Sequence, residues 1–121
     1  MEPRLTLPRS NRLRQRRDFS RLRRDGQRIV RRSLVLNWHE RSEGQLSRLA
    51  VITTKKLGNA VTRNRARRLL RSCFRLHQHE LCKPMDLVLV ARNGIVGAKI
   101  SQAENVFISA LGEANLLKTK S

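Results

Sequence analysis

Residues 55–75 read KKLGNAVTRNRARRLLRSCFR and carry 8 basic residues with no acidic one. Wound as a helix at ~100° per residue, the stretch places Ala66, Leu69, Leu70, Cys73 and His77 on one arc. Arg67, Arg68, Arg71 and Arg75 take the opposite arc with Asn64 among them, and Arg63 and Arg65 flank that face. One side is suited to lie on a sheet. The other offers guanidinium groups about one turn apart, a spacing that can follow a phosphate backbone. A merely solvated helix face intersperses acids that pair at i,i+4, and none is present here, so repulsion among these arginines calls for an external anion.

The remaining residues add no catalytic constellation. Only four carboxylates lie beyond residue 75, and no close carboxylate pair, Ser-His-Asp set or Gly-rich phosphate loop stands out. Cys73, His77, His79 and Cys82 form a C-x3-H-x-H-x2-C cluster. Cys73 and His77 share the apolar arc, and the step from His79 to Cys82 matches no strong zinc spacing, so packing is expected there and no metal site is assigned.

The whole chain shares the basic character. Its 121 residues hold 27 Lys+Arg against 9 Asp+Glu, a net charge of +18. Arginine supplies 21 of the bases, a bias toward the planar fork that pairs bidentately with phosphate and stacks on bases. Residues 1–75 carry 22 bases and 5 acids, residues 76–121 only 5 and 4. A polyanion is the expected partner, and its binding should also relieve the self-repulsion that opposes folding. The length fits a single domain with a modest core. Two cysteines without a signal peptide fit a reducing, cytoplasmic setting. The longest unbroken apolar run, Leu87 to Ala91, is far short of the ~20 residues that span a bilayer, so no membrane association is expected. The Arg-rich start resembles an organellar transit peptide in composition, but it runs without a break into patterned sequence.

Elements that must position the basic stretch can be read around it. Leu13, Phe19 and Leu22 before Gly26 predict a short helix ending near Asp25. Arg31–His39 alternates with a period of two and predicts a strand, with Ile29 and Val30 as a short one ahead of it. Arg48–Thr54 predicts another strand, and the polar turn Glu40–Ser47 suggests that the two form an antiparallel hairpin. A helix is expected from Val61 to about Glu80, capped by Asn59. Asp86–Arg92 is a continuous apolar run, the pattern of a central strand covered on both faces. Ser101-Gln102-Ala103-Glu104 reads as a capping box for a last helix along Ala103, Phe107, Ala110, Ala114 and Leu117. Trp38, Phe74 and Phe107 are assigned to packing. Residues 1–9 and 118–121 are expected to be flexible. The sum is an α+β fold, a single-domain α/β sandwich of about four strands with three helices.

Lys55 to Arg71 closely resembles the signature of the bacterial ribonuclease P protein subunit family, whose RNR box is Arg63-Asn64-Arg65 here. Arg12-Leu13-Arg14, Asp18-Phe19, Gly26 and Asp86 to Arg92 match in the family's order and spacing, so the resemblance covers roughly residues 5–115. It implies a left-handed crossover between the strands flanking the RNR helix, against the usual right-handed rule. It also implies that a catalytic ribonuclease P RNA, binding Mg2+ mainly through its own groups, cleaves the 5′ leader from precursor tRNA while the protein assists.

On that resemblance Arg63, Asn64, Arg65, Arg67, Arg68 and Arg71 would lie against the catalytic RNA, with Lys55, Lys56 and Asn59 close by. Phe19 would stand in a cleft between the first helix and the sheet that takes the single-stranded leader, with Arg92 bordering it. From the residues alone, Phe19 is nearly as well explained as core, and Lys55, Lys56 and Arg92 as ordinary surface charges. The chain departs from the family pattern in carrying Arg23 and Asn37 where aromatics are common, and Asn93 where a basic residue is common. Composition alone would equally suit a small ribosomal protein, whereas a major-groove DNA binder lacks its helix-turn-helix frame.

Overall fold

The computed structural model describes residues 12–13, 16–41 and 46–118. Residues 1–9 and 119–121, expected to be flexible, lie outside that range. The chain runs α1 (Arg16–Asp25), β1 (Gln27–Val30), β2 (Leu34–Glu40), β3 (Arg48–Ile52), α2 (Ala60–His77), β4 (Met85–Ala91) and α3 (Ile100–Glu113), with short 3-10 turns at Lys55–Leu57, Gln78–Glu80 and Asn93–Ile95. It is the expected α+β fold of three helices on a four-stranded sheet.

The sheet order is β1-β2-β4-β3. β4 is central because nearly every residue from Met85 to Ala91 is buried, so the sheet gains most by covering it on both sides. Its odd positions Leu87 and Leu89 join Leu34, Leu36 and Leu49 in the main core under α2 and α3, while Val88 faces α1 with Leu13 and Leu22. This placement overturns the expected β2–β3 hairpin. β2 pairs antiparallel with β4, from Leu34 opposite Ala91 to Glu40 opposite Met85. β3 instead pairs parallel with β4, from Arg48 opposite Asp86 to Ile52 opposite Val90. β2 and β3 are therefore separated by a strand position that is filled only after α2 has crossed back.

α2 buries Ala66, Leu70, Cys73 and Phe74, and α3 meets it with Ala103, Phe107, Ala110 and Leu111. The α3 cap differs from the expected box at Ser101. The helix begins at Ile100, and the Lys99 backbone N–H donates to Gln102 Oε1 at 2.8 Å, so the reciprocal bond comes from a glutamine three residues after a lysine. Lys118, expected in a loose tail, is tied down: its N–H donates to the Glu80 carbonyl at 2.7 Å, beside the Leu81–Leu117 bridge.

His77 links α2 to α3. Its Nδ1 meets Glu80, and its Nε2 lies 3.0 Å from Glu104 Oε2. Burial pulls the imidazole pKa down, but the bonds and charges of Glu80 and Glu104 outweigh it and the net shift is upward. A folded-state pKa above the unfolded one stabilises fully below the unfolded value, and the contribution is lost as pH rises through the folded value. Urea midpoints should therefore fall from mildly acidic to mildly alkaline pH, and His77→Gln should flatten that fall.

The two cysteines differ in the same physical terms. Cys73 is fully buried and its thiol is pushed up to about 12, mainly by burial, whereas Cys82 is exposed. Under native conditions a thiol reagent is expected to modify Cys82 alone, with Cys73 reacting only on unfolding. Two fast-reacting thiols would contradict this packing.

Candidate RNA-binding face and cleft

The start of α2 is built by local chemistry. Leu57 is buried and anchors the 3-10 turn, which leaves Lys55 and Lys56 exposed. Gly58 then adopts φ +150°, and a Cβ there would stand 3.0 Å from the Thr62 side chain, so the turn into the helix favours glycine. Asn59 caps the helix as expected: its Oδ1 accepts from the Thr62 N–H at 2.9 Å.

From this start the helix displays most of the expected basic face, but Arg67 and Arg75, expected on the open arc, are half-buried, and Arg65, expected at its flank, is exposed. Asn64, Arg65, Arg68 and Arg71 are exposed, and Arg63 and Arg67 are half-buried at the sides. Three of them bond to neutral acceptors: Arg63 Nε to the Asn59 carbonyl at 3.5 Å, Arg65 Nη2 to the Ala98 carbonyl at 2.8 Å, and Arg67 Nη1 to Asn64 Oδ1 at 3.1 Å. The acids among the described residues are engaged elsewhere. Asp25 meets Arg24, Glu113 meets Arg31, Glu40 meets Lys83, Glu80 and Glu104 meet His77, and Asp18 and Asp86 meet Arg48. Arg63, Arg65, Arg67, Arg68 and Arg71 supply none of those cations.

Charge on this face is concentrated by an unforeseen contributor. Arg12 pairs in parallel with Leu49 along the outer edge of β3. Partial burial, and after it the charges of Arg12 and Arg67, hold the Arg71 pKa below its ordinary value. An arginine so placed remains a cation at neutral pH. Crowded like charges lower the cost of drawing in an anion, because the anion relieves repulsion already present.

On the opposite side of the sheet, Phe19 is half-buried. It lines a cleft of about 230 Å3 together with Leu22, Arg23, Asn37, Ile52, Val88 and Val90. Two of the three departures from the family pattern, Arg23 and Asn37, thus sit in the cleft wall. Asn37 Nδ2 donates to the Val88 carbonyl at 3.1 Å, which leaves its amide oxygen for another donor. Arg92 is exposed just beyond β4 and stands outside this lining; its Nη1 donates to the Arg31 carbonyl at 2.8 Å.

The cleft owes its shape to an ion cluster that the residue patterns did not reveal. Arg48 holds Asp86 bidentately at 2.8 Å through Nε and Nη2 and meets Asp18 Oδ1 at 3.1 Å, while Arg41 Nε lies 3.8 Å from Asp86. Asp86 is 2% exposed and Asp18 4%. The bond to Asp86 is the main cause of the raised Arg48 pKa. Asp18 precedes Phe19 on α1, so Arg48 fastens that helix across β3 and β4 and fixes where the aromatic ring stands. A signal was available: a carboxylate opening an otherwise apolar central strand must find a cation.

Metal-binding potential is poor in the same region. Among the described residues no group of three or more His, Cys, Asp and Glu is arranged to hold an ion. The carboxylates with least exposure, Asp18 and Asp86, already face Arg48. The described side chains do not fit a Mg2+ site. Cys73 and His77 are likewise committed to the core and to the two glutamates. No helix among the described residues is long and apolar enough to cross a membrane.

Comparisons with known proteins agree with the architecture. The ribonuclease P family model matches residues 7–115. The ribonuclease P protein component of Syntrophomonas wolfei is 34% identical over 110 residues, 91% of this chain and 92% of its own. That of Desulfatibacillum aliphaticivorans is 51% identical over 51 residues, 42% of this chain and 43% of its own. The RNase P protein of Staphylococcus aureus has a similar structure, with a TM-score of 0.79 at 28% identity, covering 89% of this chain and 98% of that one. Because the match runs through the sheet and the arginine-bearing helix alike, the chain belongs to the ribonuclease P protein family, whose members assist the RNA subunit of that endoribonuclease in processing the 5′ leader of tRNA.

Proposed function

We propose that the chain acts in the cytoplasm as a single RNA-binding domain that docks on the catalytic ribonuclease P RNA through the outward face of α2. Arg63, Asn64, Arg65, Arg67, Arg68 and Arg71 meet the RNA, and Lys55, Lys56 and Asn59 extend the contact around the helix start. The observation that carries this reading is the set of α2 arginines without acidic partners among the described residues, crowded by Arg12. Desolvated ion pairs with phosphate would replace the repulsion.

The same reading gives the α1 cleft to the 5′ leader of precursor tRNA. Phe19 offers one ring face to a base, Arg23 and the Asn37 amide oxygen offer polar edges, and Arg92 adds charge beyond the strand end. Mg2+ is held mainly by the RNA, which carries the phosphodiester hydrolysis, and the protein acts by holding substrate and RNA together. The affinity of the assembled particle for precursor tRNA with and without its leader tests the cleft. Phe19→Ala should weaken binding of the leader-bearing form by about five- to tenfold, the lower end for a stacked base because the ring is partly packed. It should leave the leaderless form unchanged. Equal weakening of both forms would assign Phe19 to the core.

A further inference from the structure

Beyond the arginines, the outer surface of α2 has an apolar component that phosphate contact does not explain. Val61, in the first turn of α2, is 77% exposed, and Ile100, opening α3, is 39% exposed. With half-buried Leu69 they line an open groove of about 600 Å3 between the two helices, together with Asn64, Arg65 and Arg68. Arg65 Nη2 donates to the Ala98 carbonyl at 2.8 Å, which restrains its guanidinium beside the groove. Asn64 Oδ1 is taken by Arg67 Nη1, which leaves the Asn64 amide N–H groups to donate. Arg68 is exposed and supplies no ion-pair cation among the described residues.

We infer that this groove receives an unstacked nucleobase of the partner RNA. A base offers apolar faces to Val61, Leu69 and Ile100, a flat surface for the Arg65 plane to stack on, and ring acceptors for the Asn64 amide. Its flanking phosphates answer Arg68. Apolar protein surface surrounded by cations suits no neutral partner, and a lipid headgroup or carboxylate side chain would answer the cations without a flat face to cover Val61, Leu69 and Ile100. The inference rests on the reading of α2 as the RNA-binding helix and adds to it a contact of a different physical kind. Backbone contacts release counterions and weaken with salt, whereas burial of a base does so much less.

That difference separates the two readings in one experiment. Binding of the full chain to a bacterial ribonuclease P RNA is measured across a salt series for the unaltered protein, Val61→Ser, and Val61→Ser with Ile100→Ser. The double variant is expected to bind roughly tenfold more weakly at every salt concentration, with the slope of log K against log salt unchanged. In parallel, probing of A and C with dimethyl sulfate and of U and G with a carbodiimide should find a nucleotide protected by the unaltered protein that regains reactivity with the double variant. Val61→Ser alone removes little buried surface and keeps the test independent of folding; it should show part of the same loss. Unchanged affinity, a loss that appears only as a changed slope, or no nucleotide regaining reactivity would overturn the inference while leaving the arginine contacts standing. Binding without salt dependence in the unaltered protein would instead remove the reading beneath it.

Discussion

Arg48→Ala should lower the unfolding free energy by about 3–5 kcal/mol, because it leaves buried Asp18 without its cation and strips buried Asp86 of its two close bonds. Arg48 reaches both carboxylates at 2.8–3.1 Å, and neither is more than 4% exposed. Arg41, with its Nε 3.8 Å from Asp86, leaves that carboxylate a longer ion pair but supplies neither the bidentate bonds nor the contact to Asp18. A domain of this size has only about 5–15 kcal/mol in total. The variant is therefore expected to be largely unfolded at moderate urea, and its α1 to detach first, since Arg48 is the tie from Asp18 to the sheet. Arg48→Lys keeps one charge but loses the bidentate fork, and should fall between the alanine variant and the original. A urea midpoint for Arg48→Ala within experimental error of the original would show that the cluster contributes nothing net.

RNA binding should respond as strongly to the loss of charge from α2. Replacing Arg67 and Arg71 together by alanine should weaken binding to the ribonuclease P RNA roughly tenfold to a hundredfold at moderate salt, as expected for two charge-assisted contacts. The log–log salt slope should flatten by about 1.5, at ~0.7–0.9 for each phosphate no longer neutralised. The fold should survive, because neither side chain belongs to the core and Arg67 and Arg71 repel one another. A weaker complex with an unaltered slope would mean that these arginines act on helix stability and not on phosphate.

Much of this surface is legible in residue order because it is governed by local rules. The 3.6-residue period separates Ala66, Leu70 and Cys73 from Arg68 and Arg71, and Asn59 marks the helix start; both depend on residues within a few turns of one another. The unbroken run Leu87–Ala91 likewise announces a central strand. Pairing partners do not follow from local pattern. The stretch 40–47 has the composition of a hairpin turn, but β4 can bury both faces only between β2 and β3, and that gain outweighs the shorter connection.

The candidate site shows the same division. Phe19 and the α2 residues stand out by type, whereas Arg48 looks like any charge at a strand end. Its role arises from Asp86, 38 residues later, and from Asp18 on another element. Arg12 gains meaning only from lying along β3 beside α2. Electrostatic clusters assembled from several elements carry no periodic signature, and the one hint is a carboxylate at the mouth of an apolar strand. The α3 start is easily misplaced because Ser101 and Glu104 match a common capping pattern that Lys99 and Gln102 half fulfil with different chemistry.

Reconstitution puts the proposed function to the test: the chain is combined with a bacterial ribonuclease P RNA and a precursor tRNA at low magnesium, and leader cleavage is followed with and without protein. Faster cleavage and tighter precursor binding on adding the protein, both diminished by Arg67→Ala with Arg71→Ala, are the expected result. Identical cleavage and identical precursor affinity with and without the protein would contradict a role for this chain in the ribonuclease P particle.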